Sequence, residues 1–262
     1  MKKKSLIIIT LFLSFVLFPM SMQAESYGWG YKKSSDNQPP QVGKYGNILK
    51  ENGGYYIDDS GDKVVYLTFD NGYEEGYTNQ ILDVLNDKDV PATFFVTGHY
   101  VKDQPDLVRR MANDGHIIGN HSYHHPDLTA LSKEKMKKEL DLLQQEVAKI
   151  TGEETMNYLR PPKGTFNDQT LKWANELGYM HIFWSLAFVD WHTDSQQGWK
   201  SAYHQVMKQI HPGAIILLHT VSKDNAEALE HLIDDLRKQG YTFKSIDDLV
   251  IKDMIPKQIF GL

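Results

Sequence analysis

From Lys63 onward two kinds of segment alternate, and this alternation narrows the available folds more than any other feature of the chain. Short β-branched or aromatic runs fall at 64–69, 92–97, 116–119, 157–160, 181–186 and 214–218, with a weaker one near 241–246. Between them lie amphipathic stretches at about 77–88, 105–114, 132–150, 168–178, 198–209 and 223–239. The clearest helix runs from Ser132 to Ile150, where Leu140, Leu143, Val147 and Ile150 recur at three- and four-residue spacing and share one face. Repeated strand–helix units predict an α/β fold: a mostly parallel sheet with right-handed crossovers, closed or nearly closed into a distorted (β/α) barrel. In such barrels the chemistry collects where strands end and loops begin.

The segments before residue 63 read differently. Lys2, Lys3 and Lys4 precede an apolar stretch from Leu6 to Met20, and Met22-Gln23-Ala24 offers a small residue before a cut. This is the layout of a secretory signal over 1–24, too short for the ~20 residues of a membrane span; a retained anchor is the alternative. Either way the rest of the chain is expected outside the cytoplasmic membrane. Removing that leader, with its three lysines and no acids, takes the formal charge from −6 to −9. An acidic surface argues against nucleic acid, and no feature implies a protein partner, so a monomer is expected. The absence of cysteine means the core must hold the fold without disulfides. Residues 25–62, rich in Gly, Pro, Asn, Ser and Tyr, read as an extension lying over a domain that occupies 63–262.

Ionisable or polar clusters follow five of the predicted strands. They are Asp70-Asn71, the group from His121 to His125, Arg160-Pro161-Pro162-Lys163-Gly164, Asp190-Trp191, and His219. Each has a plainer reading. Asn71-Gly72 is a strong hairpin signal, although the helix-like stretch that follows supplies no second strand. Two histidines four apart, His121 and His125, reach one side of a helical turn and can hold one divalent ion, or can be loop histidines. His124 beside them reads as a spectator. Arg160 can be a surface charge, but the prolines after it fix the backbone and aim the guanidinium. Asp190-Trp191 can be a capped turn, and His219 a satisfied core histidine. Together they supply a base, a metal pair, an orienting cation and an acid with a carboxylate partner, which are the parts for metal-assisted hydrolysis of an amide or ester.

Thr68-Phe69-Asp70-Asn71, His121-Ser122-x-x-His125, Arg160-Pro161-Pro162-x-Gly164, Asp190-Trp191 and Leu217-Leu218-His219 resemble, in order, the five motifs of the polysaccharide deacetylase family, carbohydrate esterase family 4. Tyr27-Gly28-Trp29-Gly30, Asn37-Gln38-Pro39-Pro40, and the stretch from Lys223-Asp224-Asn225-Ala226 to Phe243-Lys244-Ser245 are similar to one branch of it. That branch comprises the delta-lactam-biosynthetic de-N-acetylases of endospore-forming bacteria, which act on N-acetylmuramic acid in the spore cortex. The resemblance implies a distorted, partly closed (β/α) barrel and a peptidoglycan glycan strand as substrate. It implies Asp70 as general base, Arg160 as the residue that keeps Asp70 ionised, His219 as general acid and Asp190 as its partner. It further implies His121 and His125 as ligands of a divalent ion (Zn, Mn, Co or Mg), with Asn71, Pro162, Trp191 and Leu217 at the substrate and the last two walling an acetyl pocket.

Asn71 departs from the family pattern, which carries a metal-ligating aspartate there. A neutral amide oxygen ligates more weakly, so the ion is expected to bind less tightly. It also removes a negative charge near the sugar's O3 position, where muramic acid carries a lactyl carboxylate. At ~4 Å and an effective dielectric near 20 that repulsion reaches roughly 4 kcal/mol, enough to select between sugars. Lys163 is a candidate cation for the same carboxylate. Two competing functions stand beside this one: an N-acetylglucosamine deacetylase of peptidoglycan or chitin, and a carbohydrate-binding pseudoenzyme created by the loss of the acid at 71.

Overall fold

The computed structural model describes residues 25–254, so the expected leader at 1–24 and the tail at 255–262 lie outside it. In chain order the elements are β1 (Tyr27–Gly28), α1 (Lys44–Glu51), β2 (Val64–Asn71), α2 (Thr78–Asp87), β3 (Ala92–Val96), α3 (Gly98–Asp103), α4 (Pro105–Asn113), β4 (Ile117–Asn120), α5 (Lys133–Thr151), β5 (Tyr158–Leu159), β6 (Thr165–Phe166), α6 (Asp168–Glu176), β7 (Met180–His181), α7 (Trp199–Met207), β8 (Ala214–His219), α8 (Lys223–Lys238), β9 (Thr242–Phe243) and α9 (Ile246–Met254). Seven strands form one sheet in the order β7-β5-β4-β3-β2-β8, with β9 added beside β2. Every pairing in it is parallel. β2 and β8 read as unbroken apolar runs because both faces of a parallel sheet are covered.

Closure is partial, as expected, and it is made by irregular backbone. The run at 181–186 is not one strand: the ladder stops at His181, where Tyr55 inserts, its N–H donating to His181 O and its carbonyl accepting from Phe183 N. The chain returns to the sheet at Leu186, which bridges Ile216 of β8. The strand expected at 157–160 is only two residues long, because Pro161 and Pro162 have no N–H to continue it. Three helices were not legible. α1 lies inside the extension; α3 is six residues capped by Thr97 Oγ1; α9 follows the weak last strand.

The expected helix at 132–150 forms as α5, capped by Ser132 Oγ and ended by Gly152 in the left-handed region, with Leu140, Leu143 and Val147 fully buried. Residues 25–62 are stitched to the barrel rather than draped on it. β1 pairs antiparallel with β6, Trp29 N–H donates to Gly164 O, and the Trp29 indole donates to Trp184 O at 3.0 Å. Aromatic packing of Trp29 on Tyr56 and Phe183 completes this second, smaller core.

Candidate active site

Residues from three strand ends converge on one side chain. Parallel registry sets Asp70 beside Phe95 of β3 and beside His219 of β8, so the base and acid candidates are neighbours across the sheet. Asp70 is only 8% exposed, and Arg160 is fully buried. Arg160 donates from Nη1 to Asp70 Oδ1 at 2.8 Å, from Nη2 to Thr68 Oγ1 at 2.8 Å and to Phe183 O at 3.3 Å, and from Nε to Ile182 O at 3.0 Å. Its guanidinium also lies over the Phe95 ring. The irregular backbone at 182–183 therefore has a use: its free carbonyls hold the arginine. Burial by itself raises the Asp70 carboxyl, but the charge of Arg160 and its hydrogen bond, with His219 beyond, outweigh it and hold the group below the usual carboxylate range.

On the opposite side, Asp190 Oδ1 accepts from His219 Nδ1 at 2.7 Å, which leaves Nε2 as the ring nitrogen free for the cleft. Burial depresses this imidazole, yet the Asp190 carboxylate raises it further, so its pKa ends above the ordinary histidine value.

The expectation of a helical turn for His121 and His125 is not met. They sit on a loop in which Ser122 and His125 have φ of 62° and 56°, and this left-handed backbone brings the rings to 4.8 Å by folding the loop back. His121 Nδ1 lies 2.8 Å from Arg160 O; a carbonyl only accepts, so Nδ1 carries the proton and Nε2 is left as a lone pair, 3.5 Å from Asp70 Oδ2. Burial pushes His121 down and His125 down to about 4, so both imidazoles are neutral at pH 7, the form that ligates. Asn71 is fully buried; its Nδ2 donates to Thr220 Oγ1 at 2.7 Å, while its Oδ1 has no partner. Among the described residues no group of three His, Cys, Asp or Glu could hold a metal, so a third protein donor has to come from another residue type. An orphaned amide oxygen with two neutral imidazoles fits a divalent ion in the chemistry of the donors.

Above these groups opens a cleft of about 620 Å³, lined by Asp70, His121, His125 and His219 and rimmed by Trp191 and Tyr73, which are both partly exposed. Pro162 and Leu217 are buried in the wall and do not line it. Asn71 has no exposed surface either, so a lactyl carboxylate does not touch it, and any charge effect acts through the wall at less than its contact value. His124 also lines the cleft, with its backbone N–H and Nδ1 bound to the Glu139 carboxylate. Lys163 is exposed in a left-handed conformation (φ 57°), and its charge is one of those that depress His125. Tyr73, Tyr123, His99 and Lys102 line the cleft without having been singled out in the sequence. Tyr73, two residues beyond Asn71, and Tyr123, between His121 and His125, were close enough to a motif to be found; His99 and Lys102 were not.

The sequence profile of the polysaccharide deacetylase family matches residues 58–182. The peptidoglycan-N-acetylmuramic acid deacetylase PdaA of Bacillus subtilis is 56% identical over 229 residues, covering 87% of each chain. This chain belongs to the polysaccharide deacetylase family. The solved structure of Bacillus subtilis PdaA, described as a family 4 carbohydrate esterase, superposes with a TM-score of 0.86 at 54% identity over 87% of this chain and 98% of that one. A family 4 carbohydrate esterase from Bacillus anthracis superposes at 0.71 with 52% identity, over 84% of this chain and 98% of that one. The curled, half-closed parallel sheet is thus the fold of this deacetylase family, whose enzymes use a divalent metal ion.

Proposed function

We propose that this chain hydrolyses the acetamide of N-acetylmuramic acid residues in peptidoglycan, a step towards the muramic δ-lactam of spore cortex, after export across the cytoplasmic membrane. One observation carries the chemistry: an anionic Asp70 locked by a buried arginine shares its cleft with a histidine whose Nδ1–H is held by Asp190, whose charge raises its pKa. These are a base and an acid whose surroundings push them in opposite directions, the arrangement hydrolysis needs at neutral pH.

Asp70 accepts a proton from water as the water oxygen bonds to the acetyl carbon. Arg160 keeps Asp70 ionised and aimed. His219 delivers its Nε2 proton to the sugar nitrogen as the C–N bond breaks, leaving acetate and a free amine. His121, His125 and the Asn71 amide oxygen are the residues that would hold the divalent ion, which, when bound, would polarise the acetyl carbonyl and lower the pKa of the attacking water. Imidazole and amide donors suit Zn or Co better than Mg. Trp191, its ring 5.3 Å from that of His219, flanks the position of the acetyl group. A complete acid, base and orienting arginine have no use in a mere binding protein, which sets the pseudoenzyme aside.

The sugar is identified by the similarity to PdaA over nearly the whole chain, together with the loss of charge at Asn71. The test is acetate release from peptide-free peptidoglycan, compared with chitin oligomers of equal length and with His219→Ala as the blank. Release from the muramic substrate is expected. Turnover of the chitin oligomers alone overturns the assignment.

A further inference from the structure

The carboxylate behind the general acid is itself held by Asn225, a residue outside the five catalytic motifs. Asp190 Oδ2 accepts from His219 N at 2.8 Å and from Asn225 Nδ2 at 2.6 Å, and the same Asn225 amide donates to His219 O at 3.2 Å. Facing a carboxylate and a carbonyl, both acceptors, the amide must present its NH₂ group, so its orientation is fixed by chemistry. Asn225 is 2% exposed and sits in the first turn of α8, where Ser222 Oγ accepts from its N–H at 3.2 Å. The same turn pins the loop that carries Asp190. Asp224 Oδ2 accepts from Gln197 N at 2.8 Å and Gly198 N at 2.7 Å, while Gln196 links Asp190 O to Ser222 and Asp224.

We infer that Asn225 is a positioning residue that fixes the Asp190 carboxylate and, through it, the His219 imidazolium, held at Nδ1–H so that its Nε2–H faces the substrate nitrogen. This rests on the assignment of His219 as general acid. Three donors surround Asp190: His219 Nδ1, His219 N and Asn225 Nδ2. With Oδ1 fixed in place, the Nδ1 proton stays on its nitrogen and the proton given up is the one on Nε2, and a misplaced proton in such a pair is catalytically expensive. Without the amide, Oδ2 keeps only the His219 backbone donor, and the carboxylate is free to turn.

The experiment compares the full enzyme with Asn225→Ala and Asn225→Asp, the second keeping the shape while turning the donor into an acceptor. For Asn225→Ala, kcat is expected to fall about tenfold with KM little changed, as for outer partners of site histidines, and Asn225→Asp is expected to fall further. In an Asp190→Ala background the Asn225→Ala penalty should shrink to within about twofold, because the group it acts through is gone. Nitrogen-15 NMR of neutral His219, recorded above its pKa and assigned against His219→Ala, should show Nδ1–H in the parent and mixed tautomers in both Asn225 variants. A penalty that persists in full in the Asp190→Ala background, or an unchanged His219 tautomer in both variants, overturns the inference. The general-acid assignment fails separately, as an unimpaired His219→Ala enzyme, and the NMR readout does not depend on it.

Discussion

Replacing Arg160 with methionine removes a buried cation while nearly filling its volume. Four donated hydrogen bonds disappear, to Asp70, Thr68, Ile182 O and Phe183 O. The largest loss is the partner of Asp70, a carboxylate only 8% exposed. Breaking one side of a buried ion pair costs about 3–5 kcal/mol, because the surviving charge is left uncompensated. At about 2–4 °C per kcal/mol for a chain of this size, Tm should fall by roughly 6–20 °C. Circular dichroism melts at pH 7 read this directly. The sharper test is Arg160→Met combined with Asp70→Asn. Removing the orphaned carboxylate should restore part of the lost stability, so the double variant should melt above Arg160→Met although it carries one more substitution. A single variant within 2 °C of the parent, by the same scaling, or a double variant less stable than the single one, would refute the account of this pair.

Asp70→Asn and His219→Ala should each lower the rate at least ~10²-fold, as expected for a proton acceptor and donor, His219→Ala with Tm kept and Asp70→Asn with a lower Tm, because it leaves the buried Arg160 unpaired; near-parental acetate release by either sinks the assignment. As general acid His219 works protonated, so the rate falls as pH rises through its raised pKa. Asp190→Asn removes the raising charge and leaves burial, so the alkaline limb of the rate profile should move to lower pH, and an unmoved limb counts against the pair. A chelator should remove activity and added Zn²⁺ or Co²⁺ restore it; Asn71→Asp should tighten the ion in a titration, and unchanged affinity means residue 71 does not touch it. Gly213 has φ of +76°, and a Cβ there would lie 1.9 Å from Asp58 O, so Gly213→Ala should destabilise by more than about 2 kcal/mol, read as a lower Tm.

The parts of the molecule that were legible in sequence are those fixed by local burial. β2 and β8 are covered on both faces and spell themselves as apolar runs, and α5 spells its buried face at helical spacing. The run at 181–186 was misread because its neighbour is Tyr55, more than a hundred residues earlier in the chain, and no local pattern records that insertion. In the site, residue types and their order at strand ends located Asp70, Arg160, Asp190 and His219. The geometry of the histidine pair was not readable, since two left-handed residues, Ser122 and His125, carry no glycine to mark them. Asn225 was quoted in the Lys223–Ala226 stretch, but its role was unreadable for a different reason. An asparagine in the first turn of a helix is ordinary, and only the approach of Asp190 gives it a role.

Mass spectrometry of muropeptides from peptide-free peptidoglycan, before and after incubation with the metal-loaded enzyme, reports the sugar and the bond together. Loss of one acetyl mass from muramic residues, with glucosamine residues intact, is the expected result. Acetyl loss confined to the glucosamine residues, or none with the ion bound, would contradict the account.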